Sequence, residues 1–418
     1  MAVQAERWIL AGLLTAFGML AALAAVALWP HAPSAVAAQF FPAAFLERSA
    51  AYSRGAYLSF ALRTAVQLGL LAWIAFSGLA ERWGERALRL CGGRPVLAAV
   101  LFAVGLALLL SLVDAPFAYW RGFYWEHRFG LSTQPAAAWW ADQAKGWAIG
   151  AALQAVVFAA LFFLIVRLPH AWWVPASALL AAGLWLLTLL SPVVIDPLFY
   201  RFRPLPPSPL KTTLLDMASR AGVPARDVWV ADASRRTQRV NAYVTGSGPT
   251  RRIVLYDTLL QKYDDAQVEL VVAHEIGHLA EAHIAKGVAL GAAGGVLGLW
   301  LLARFLRGLW ERGILSPLPH PAAVAWILLL SSLGTLSTMP LQNAISRQFE
   351  RQADAISFRL APHPEAAVSL ERRLALSNLA DVDPQPYVEW LLFTHPPQLE
   401  RLLAAEAAAR RAGGAKSK

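Results

Sequence analysis

The chain has 418 residues, 57% hydrophobic and 15% charged, where a soluble protein of this size carries about a quarter charged residues. The deficit lies in long uncharged runs, which excludes an ordinary soluble fold and implies an integral, multi-pass membrane protein that is mainly α-helical. The net charge of +10 sits in loops and in the tail Arg410-Arg411 to Lys416-Lys418 with no basic-aromatic module, so it suits anionic lipid headgroups and excludes nucleic acid as a partner.

The first apolar run, Trp8 to Trp29, is 22 residues without a charge. That exceeds the roughly 7–15 residues of a signal-peptide core, so an uncleaved anchor is expected despite Arg7 before it and Ala35-Val36-Ala37 after it. Further spans are predicted at 57–79, 95–113, 146–166, 171–195, 287–304 and 321–341, which makes seven. Trp29, Trp172, Trp173 and Trp300 flank these runs, as interfacial tryptophans do. Cys91 is the only cysteine, so neither an intrachain disulfide nor a cysteine metal cluster is possible.

Five regions follow from this pattern: five spans over 1–195, a polar α/β insert over 196–284, two spans over 285–341, a helical part over 342–403 and a disordered basic tail over 404–418. The insert opens with the stiff run Pro204-Leu205-Pro206-Pro207. A helix is predicted from N-cap Ser208 to Gly222, and strands over Asp227–Ala231, Asn241–Thr245 and Arg251–Tyr256, the last two joined by Gly246-Ser247-Gly248-Pro249. A helix capped by Asp264 or Asp265 comes next and is expected to run unbroken toward the sixth span. Arg82, Arg86, Arg89 and Arg94 are assigned to a short loop between spans.

That last helix carries His274-Glu275-Ile276-Gly277-His278. Histidines four apart project from one helical face and can grip one metal ion, and the adjacent Glu275 can polarise a water beside it. The bland alternative is a pair of buried histidines beside a surface glutamate. Three candidates compete to be the third ligand. His283 lies nine residues after His274, about 180° round a continuous helix, and points away. Glu281 shares the His274 face, but three ligands in line on one straight helix cannot readily surround an ion. Glu350 remains, on a predicted helix over Gln342–Leu360, four residues before Asp354. Two carboxylates so spaced repel each other unless a cation or histidine lies opposite. Glu350 as ligand and Asp354 as acceptor of a ligand histidine's ring N–H resolve this. The alternative is a solvated charged face paired with Arg347 and Arg351.

These residues resemble the integral-membrane CAAX prenyl proteases of type I, which are seven-span zinc metalloproteases. The likeness extends from about Asp114 to His395, through the Pro116-Phe117 to Phe129-Gly130 segment, Asn241-Ala242-Tyr243, Arg251 to Leu260, the histidine motif, Ser346-Arg347 with Glu350, and Ala353-Asp354. It implies a helical barrel around a large water-filled chamber, with a small α/β zinc domain at one end. It implies one zinc ion per chain on His274, His278 and Glu350, with Glu275 as general base. His395 would donate a hydrogen bond at the active site, while the edge strand Asn241–Val244 (Asn241, Ala242, Tyr243, Val244) and Arg347 would contact substrate. The substrate expected is a peptide or protein, prenylated or membrane-associated, met on the cytoplasmic side. An arginine-rich usage hints at a bacterial inner membrane; a eukaryotic source would mean the endoplasmic reticulum. Two alternatives are a quality-control zinc protease of the HtpX type, disfavoured by five spans before the motif, and a non-enzymatic seven-helix transporter or receptor.

Overall fold

The computed structural model describes residues 2–29, 32–246 and 250–416. Among them seven helices are long and apolar enough to cross a membrane: Glu6–Leu28, Ala43–Phe76, Pro95–Arg128, Ala136–Arg167, Trp173–Leu198, His283–Glu311 and Ala323–Leu360. Each overlaps one of the seven runs expected from hydropathy, with ends that differ by up to three residues where a run overshoots the helix, and several helices extend well past their run because polar residues continue them. Only 6% to 44% of each apolar window is buried, with the fifth and sixth spans at the low end. Spans packed as a solid bundle would cover more of one another. Arg63 pairs with Asp114 and Gln67 donates to the same carboxylate at 3.1 Å, so polar groups face one another between the second and third spans. Charged residues within spans turn toward a bundle interior or a water-filled space, as around a chamber.

The segment with Arg82, Arg86 and Arg89 is not a loop but an amphipathic helix, Leu79–Leu90, with Ala80, Gly84 and Ala87 buried; Arg94 N-caps the third span. Small residues on one face and arginines on the other bind such a helix to its neighbours more firmly than composition alone conveys.

The polar insert holds a four-stranded sheet: β1 (Phe202–Pro204), β2 (Asp227–Ala231), β3 (Ala242–Thr245) and β4 (Arg252–Tyr256), in the order β1-β2-β4-β3. β2 and β4 run parallel, and the two outer strands pair antiparallel. β1 was not expected. It is three residues long and contains Pro204, which a strand tolerates only at an edge, where one side needs no N–H. The residues Ser247–Pro249 of the expected β3–β4 turn lie outside the described residues. The first helix of the insert, Pro209–Arg220, is capped as expected by Ser208, whose hydroxyl accepts the Lys211 N–H at 3.2 Å.

Leu214, Met217, Val228, Ile253, Leu255, Val272 and Ile276 share one core with Ala361, Leu370 and Ala405. The insert and the chain beyond the seventh span therefore form a single lobe, although two spans separate them in sequence. Burial of each large aliphatic side chain there contributes about 1.5–3 kcal/mol. The last helix, Gln398–Lys416, runs through the region expected to be disordered. Its alanines, glutamates and arginines are good helix formers, and Leu399, Leu402 and Ala405 anchor its start. Ser417 and Lys418 lie outside the described residues.

Candidate metal centre

The motif helix spans Asp265–Ala280 and is N-capped by Asp264, whose Oδ1 accepts the Gln267 N–H at 2.9 Å. Its inner face buries Val268, Leu270, Val272, Ala273 and Ile276, which leaves His274, Glu275 and His278 along the edge of that face. Opposite lies the 38-residue helix Ala323–Leu360, whose far end carries Glu350 and Asp354 into the lobe. The two helices meet at Gly277. A Cβ there would stand 3.1 Å from the Ala353 Cα and 3.2 Å from its carbonyl oxygen, so a side chain would force them apart.

This contact brings one nitrogen from each of His274 and His278 and one oxygen from Glu350 within 4.8 Å of one another. Nε2 of His274 and Nε2 of His278 are 3.1 Å apart. Glu350 places Oε2 3.2 Å from the first and Oε1 3.4 Å from the second. Oε2 is buried and, despite that proximity, has no partner in hydrogen-bonding geometry. Nδ1 of His274 lies 2.8 Å from Oδ1 of Asp354, which accepts its proton and leaves an Nε2 lone pair facing His278 and Glu350. Burial lowers the proton affinity of His274, but Asp354 and Glu350 outweigh it and raise the pKa to about 10. The Nε2 position of His274 thus favours a cation, either a proton or a metal ion. An orphaned carboxylate oxygen, two imidazoles and their separations fit a metal ion.

The three candidates for the third position have different surroundings. Glu281 caps the motif helix, is half-buried and pairs with Lys286 instead of joining the cluster. Arg351 pairs with Glu400 on the outside. Glu350 and Asp354 are both buried, so they do not form a solvated charged face.

His283 corrects the sequence reading. The helix does not continue: Ala282 takes a left-handed conformation (φ 52°) and a new helix starts at His283. A non-glycine residue there costs about 1–2 kcal/mol, and the break redirects the chain. His283 therefore turns back toward the cluster, its Nδ1 3.0 Å from Nδ1 of His278 and its Nε2 2.8 Å from Oε1 of Gln352. It stacks on Phe349 with ring centroids 4.3 Å apart. Periodicity could not reveal this, because it assumes an unbroken helix.

Behind His274 lies a charged chain. Arg401 is mostly covered and donates to both oxygens of Asp354, at 2.9 and 2.7 Å, and approaches Glu371 Oε1 at 3.5 Å. Gln398 donates to Glu371 from the same helix as Arg401. Arg401, Glu371, Gln398 and Gln352 were all missed. For Arg401 and Glu371 the only sequence signal is charge inside otherwise apolar helical stripes, and the two neutral glutamines carry none.

Glu275 and His274 line a cavity of about 240 Å³ with Val240, Asn241, Asp354 and His395. Burial raises the Glu275 carboxyl above its ordinary value. His395 reaches the cluster with Nε2 3.4 Å from Oε1 of Glu350, and its Nδ1 lies 2.9 Å from the Thr394 hydroxyl. Arg347, expected beside substrate, is buried instead. It donates to the carbonyl oxygens of Glu389 (3.0 Å) and Phe393 (2.6 Å), so it holds the segment that presents His395.

β3 forms a sheet edge, and Val240 and Asn241, which lead into it, line this cavity. Asn241 directs its carbonyl to the Tyr256 N–H at 3.0 Å, so by strand alternation the backbone groups of Ala242 and Val244 point to the open side. The side chains of Ala242 and Val244 pack into the core, and Tyr243 donates to Asp196 at 3.3 Å.

The comparisons with known proteins agree with this architecture. Residues 204–409 match the profile of peptidase family M48, and residues 24–201 match the CAAX prenyl protease N-terminal region of five membrane helices. The metalloprotease YhfN of Bacillus subtilis is 33% identical over 312 residues, which cover 73% of this chain and 72% of that protein. CAAX prenyl protease 1 of Saccharomyces cerevisiae is 28% identical over 320 residues, 72% of this chain and 70% of that protein. The crystal structure of Ste24p from S. mikatae superposes with a TM-score of 0.81 at 23% identity, over 97% of this chain and 99% of that one. The transporter or receptor alternative therefore falls away: the chain belongs to peptidase family M48, as a seven-span membrane metalloprotease resembling the CAAX-processing enzymes.

Proposed function

We propose that this protein is a zinc endopeptidase in which His274, His278 and Glu350 hold one zinc ion and Glu275 is the general base. The observation that carries the reading is the convergence of two imidazole nitrogens and the Glu350 carboxylate, whose Oε2 is unpartnered, beside a second carboxylate, Glu275, that lines the adjoining cavity. When bound, zinc supplies Lewis-acid polarisation of the attacking water and of the peptide carbonyl.

The chain's own residues do the rest. Glu275 takes a proton from water as its oxygen bonds to the peptide carbon, then delivers that proton to the leaving nitrogen as the C–N bond breaks. The Thr394 hydroxyl is hydrogen-bonded to Nδ1 of His395, and in the tautomer that carries the proton on Nε2 the ring turns it toward the cluster, to stabilise the oxygen that gains negative charge. Pro396 and Pro397 stiffen the segment that holds the ring. Backbone groups of Ala242 and Val244 pair with an extended substrate, a strand addition that positions a peptide without reading much of its sequence. Asp354 fixes the tautomer of His274 from behind.

The names of the relatives and the membrane setting support a prenylated or otherwise membrane-associated peptide as substrate, presented on the cytoplasmic side of a bacterial inner membrane. The test is hydrolysis of paired peptides, prenylated and unprenylated, by detergent-purified protein of measured zinc content. Preferential cutting of the prenylated peptide is expected. Equal cutting of both would remove the lipid from the recognition, and absence of zinc from active protein would remove the metal assignment.

A further inference from the structure

A second cavity, of about 380 Å³, shares His395 and Gln398 with the metal-site cavity and is walled on its far side by Tyr52, Arg121 and Arg239. Here two guanidiniums converge on one carboxylate. Arg121 and Arg239 both bond Glu126 and the Tyr52 hydroxyl, which itself donates to Glu126. Arg239 is about a third exposed; its guanidinium also lies over the Tyr52 ring, 5.7 Å from the centroid, and its Nη1 donates to the Asn378 carbonyl at 3.4 Å. No hydrogen bond is made by its Nε among the described residues. The second acidic group of the cavity, Asp381, accepts from Tyr57 at 2.8 Å.

The position of Arg239 relative to the sheet gives this cluster a direction. Arg239 precedes β3 by three residues, on the side where β3 begins. A peptide added antiparallel to β3 runs against it, so its C-terminal end emerges beside the start of β3, toward Arg239. Three residues of extended chain span about 10 Å. We propose that Arg239 and Arg121 form a subsite that takes a carboxylate at the C-terminal end of the bound peptide, the free terminal carboxylate in particular. The proposal rests on the peptidase reading above. A planar fork of N–H donors matches a carboxylate, and Glu126 holds both arginines in place without using all their donors.

The test uses one peptide in three forms with the full-length, metal-loaded protein: free acid, C-terminal amide, and amide with glutamate as the last residue. Wild type is expected to favour the free acid over the plain amide by about tenfold or more in kcat/KM, chiefly through KM. In Arg239→Gln and in Arg121→Gln this ratio collapses toward one, while Arg239→Lys retains part of it. A cluster that only ties the spans to the lobe would instead lower both forms in proportion and leave the ratio unchanged, which overturns the proposal. Equal cutting of acid and amide by wild type overturns it too. Full recovery with the glutamate amide would assign the subsite to an acidic side chain instead of the terminus. Binding of the fluorescent acid and amide to Glu275→Gln protein, read by anisotropy, needs no hydrolysis. Tighter binding of the acid without any cutting by wild type would sink the peptidase reading and leave the subsite standing, whereas equal binding would sink the subsite.

Discussion

The two histidines of the motif sit one turn apart on the same helix, yet they are held from behind in different ways. His274 rests on Asp354, which is locked by Arg401 and in turn by Glu371, a buried charged chain. His278 rests on His283, a neutral ring stacked on Phe349 and bonded to Gln352. The difference follows from where each support comes from. Asp354 is on the opposing helix and Arg401 on the last one, so the charged side ties three distant segments together. The neutral side starts from the helix break at Ala282, four residues downstream, and draws only on the opposing helix, through Phe349 and Gln352. A buried charge left without its partner costs far more than a neutral group does, so the first flank is expected to govern the stability of the lobe and the second only the fine position of a ligand.

Glu350→Ala removes a group common to both flanks and gives the largest effect: metal is lost on dialysis and hydrolysis becomes undetectable. Metal analysis after dialysis checks it. Tightly held metal in Glu350→Ala together with loss in Glu281→Ala would move the third ligand to Glu281.

Asp354→Ala comes next, because it strands Arg401 as well as freeing His274. A drop of about 3–5 kcal/mol in lobe stability and a 10–100-fold loss of metal affinity are expected. His283→Ala is the matching probe of the neutral side, with a smaller loss of metal affinity and little change in melting. If the two variants lost stability equally, the contrast between the flanks would disappear.

His395→Ala lies outside both flanks and leaves them intact. Metal content should match wild type while kcat falls about a hundredfold, in line with loss of one oxyanion donor. A kcat within twofold to threefold of wild type would return His395 to an ordinary surface position. The smallest effect belongs to Gly277→Ala, which inserts a methyl where the two helices touch. A loss of about 1–3 kcal/mol is expected, measured by chemical unfolding of the solubilised protein.

Much of this site was legible in the sequence, for a definite reason. Histidines at a four-residue spacing and a carboxylate pair at the same spacing are short-range patterns, and a helix converts them directly into geometry. The seven spans were legible because hydropathy over about 20 residues is a one-dimensional signal. What escaped depends on departures from regularity or on long-range packing. The break at Ala282 turned His283 inward, Arg347 faced backbone carbonyls that only folding brings near, and Arg401 lay in a helix some fifty residues past Asp354. β1 was too short to carry a period, and the chain after 404 was read by its low complexity although its alanines continue the helix.

The central claim is that three residues hold the metal while a fourth, beside them, moves the proton. Glu275→Gln separates the two roles, since Glu275 contributes no ligand atom to the cluster. Zinc stoichiometry and peptide hydrolysis measured on the same preparation should show one ion per chain as in wild type, with the rate lower by about 10²–10⁴-fold or more. Substantial hydrolysis by zinc-replete Glu275→Gln protein would contradict the account, and so would a loss of zinc that accompanies the loss of rate.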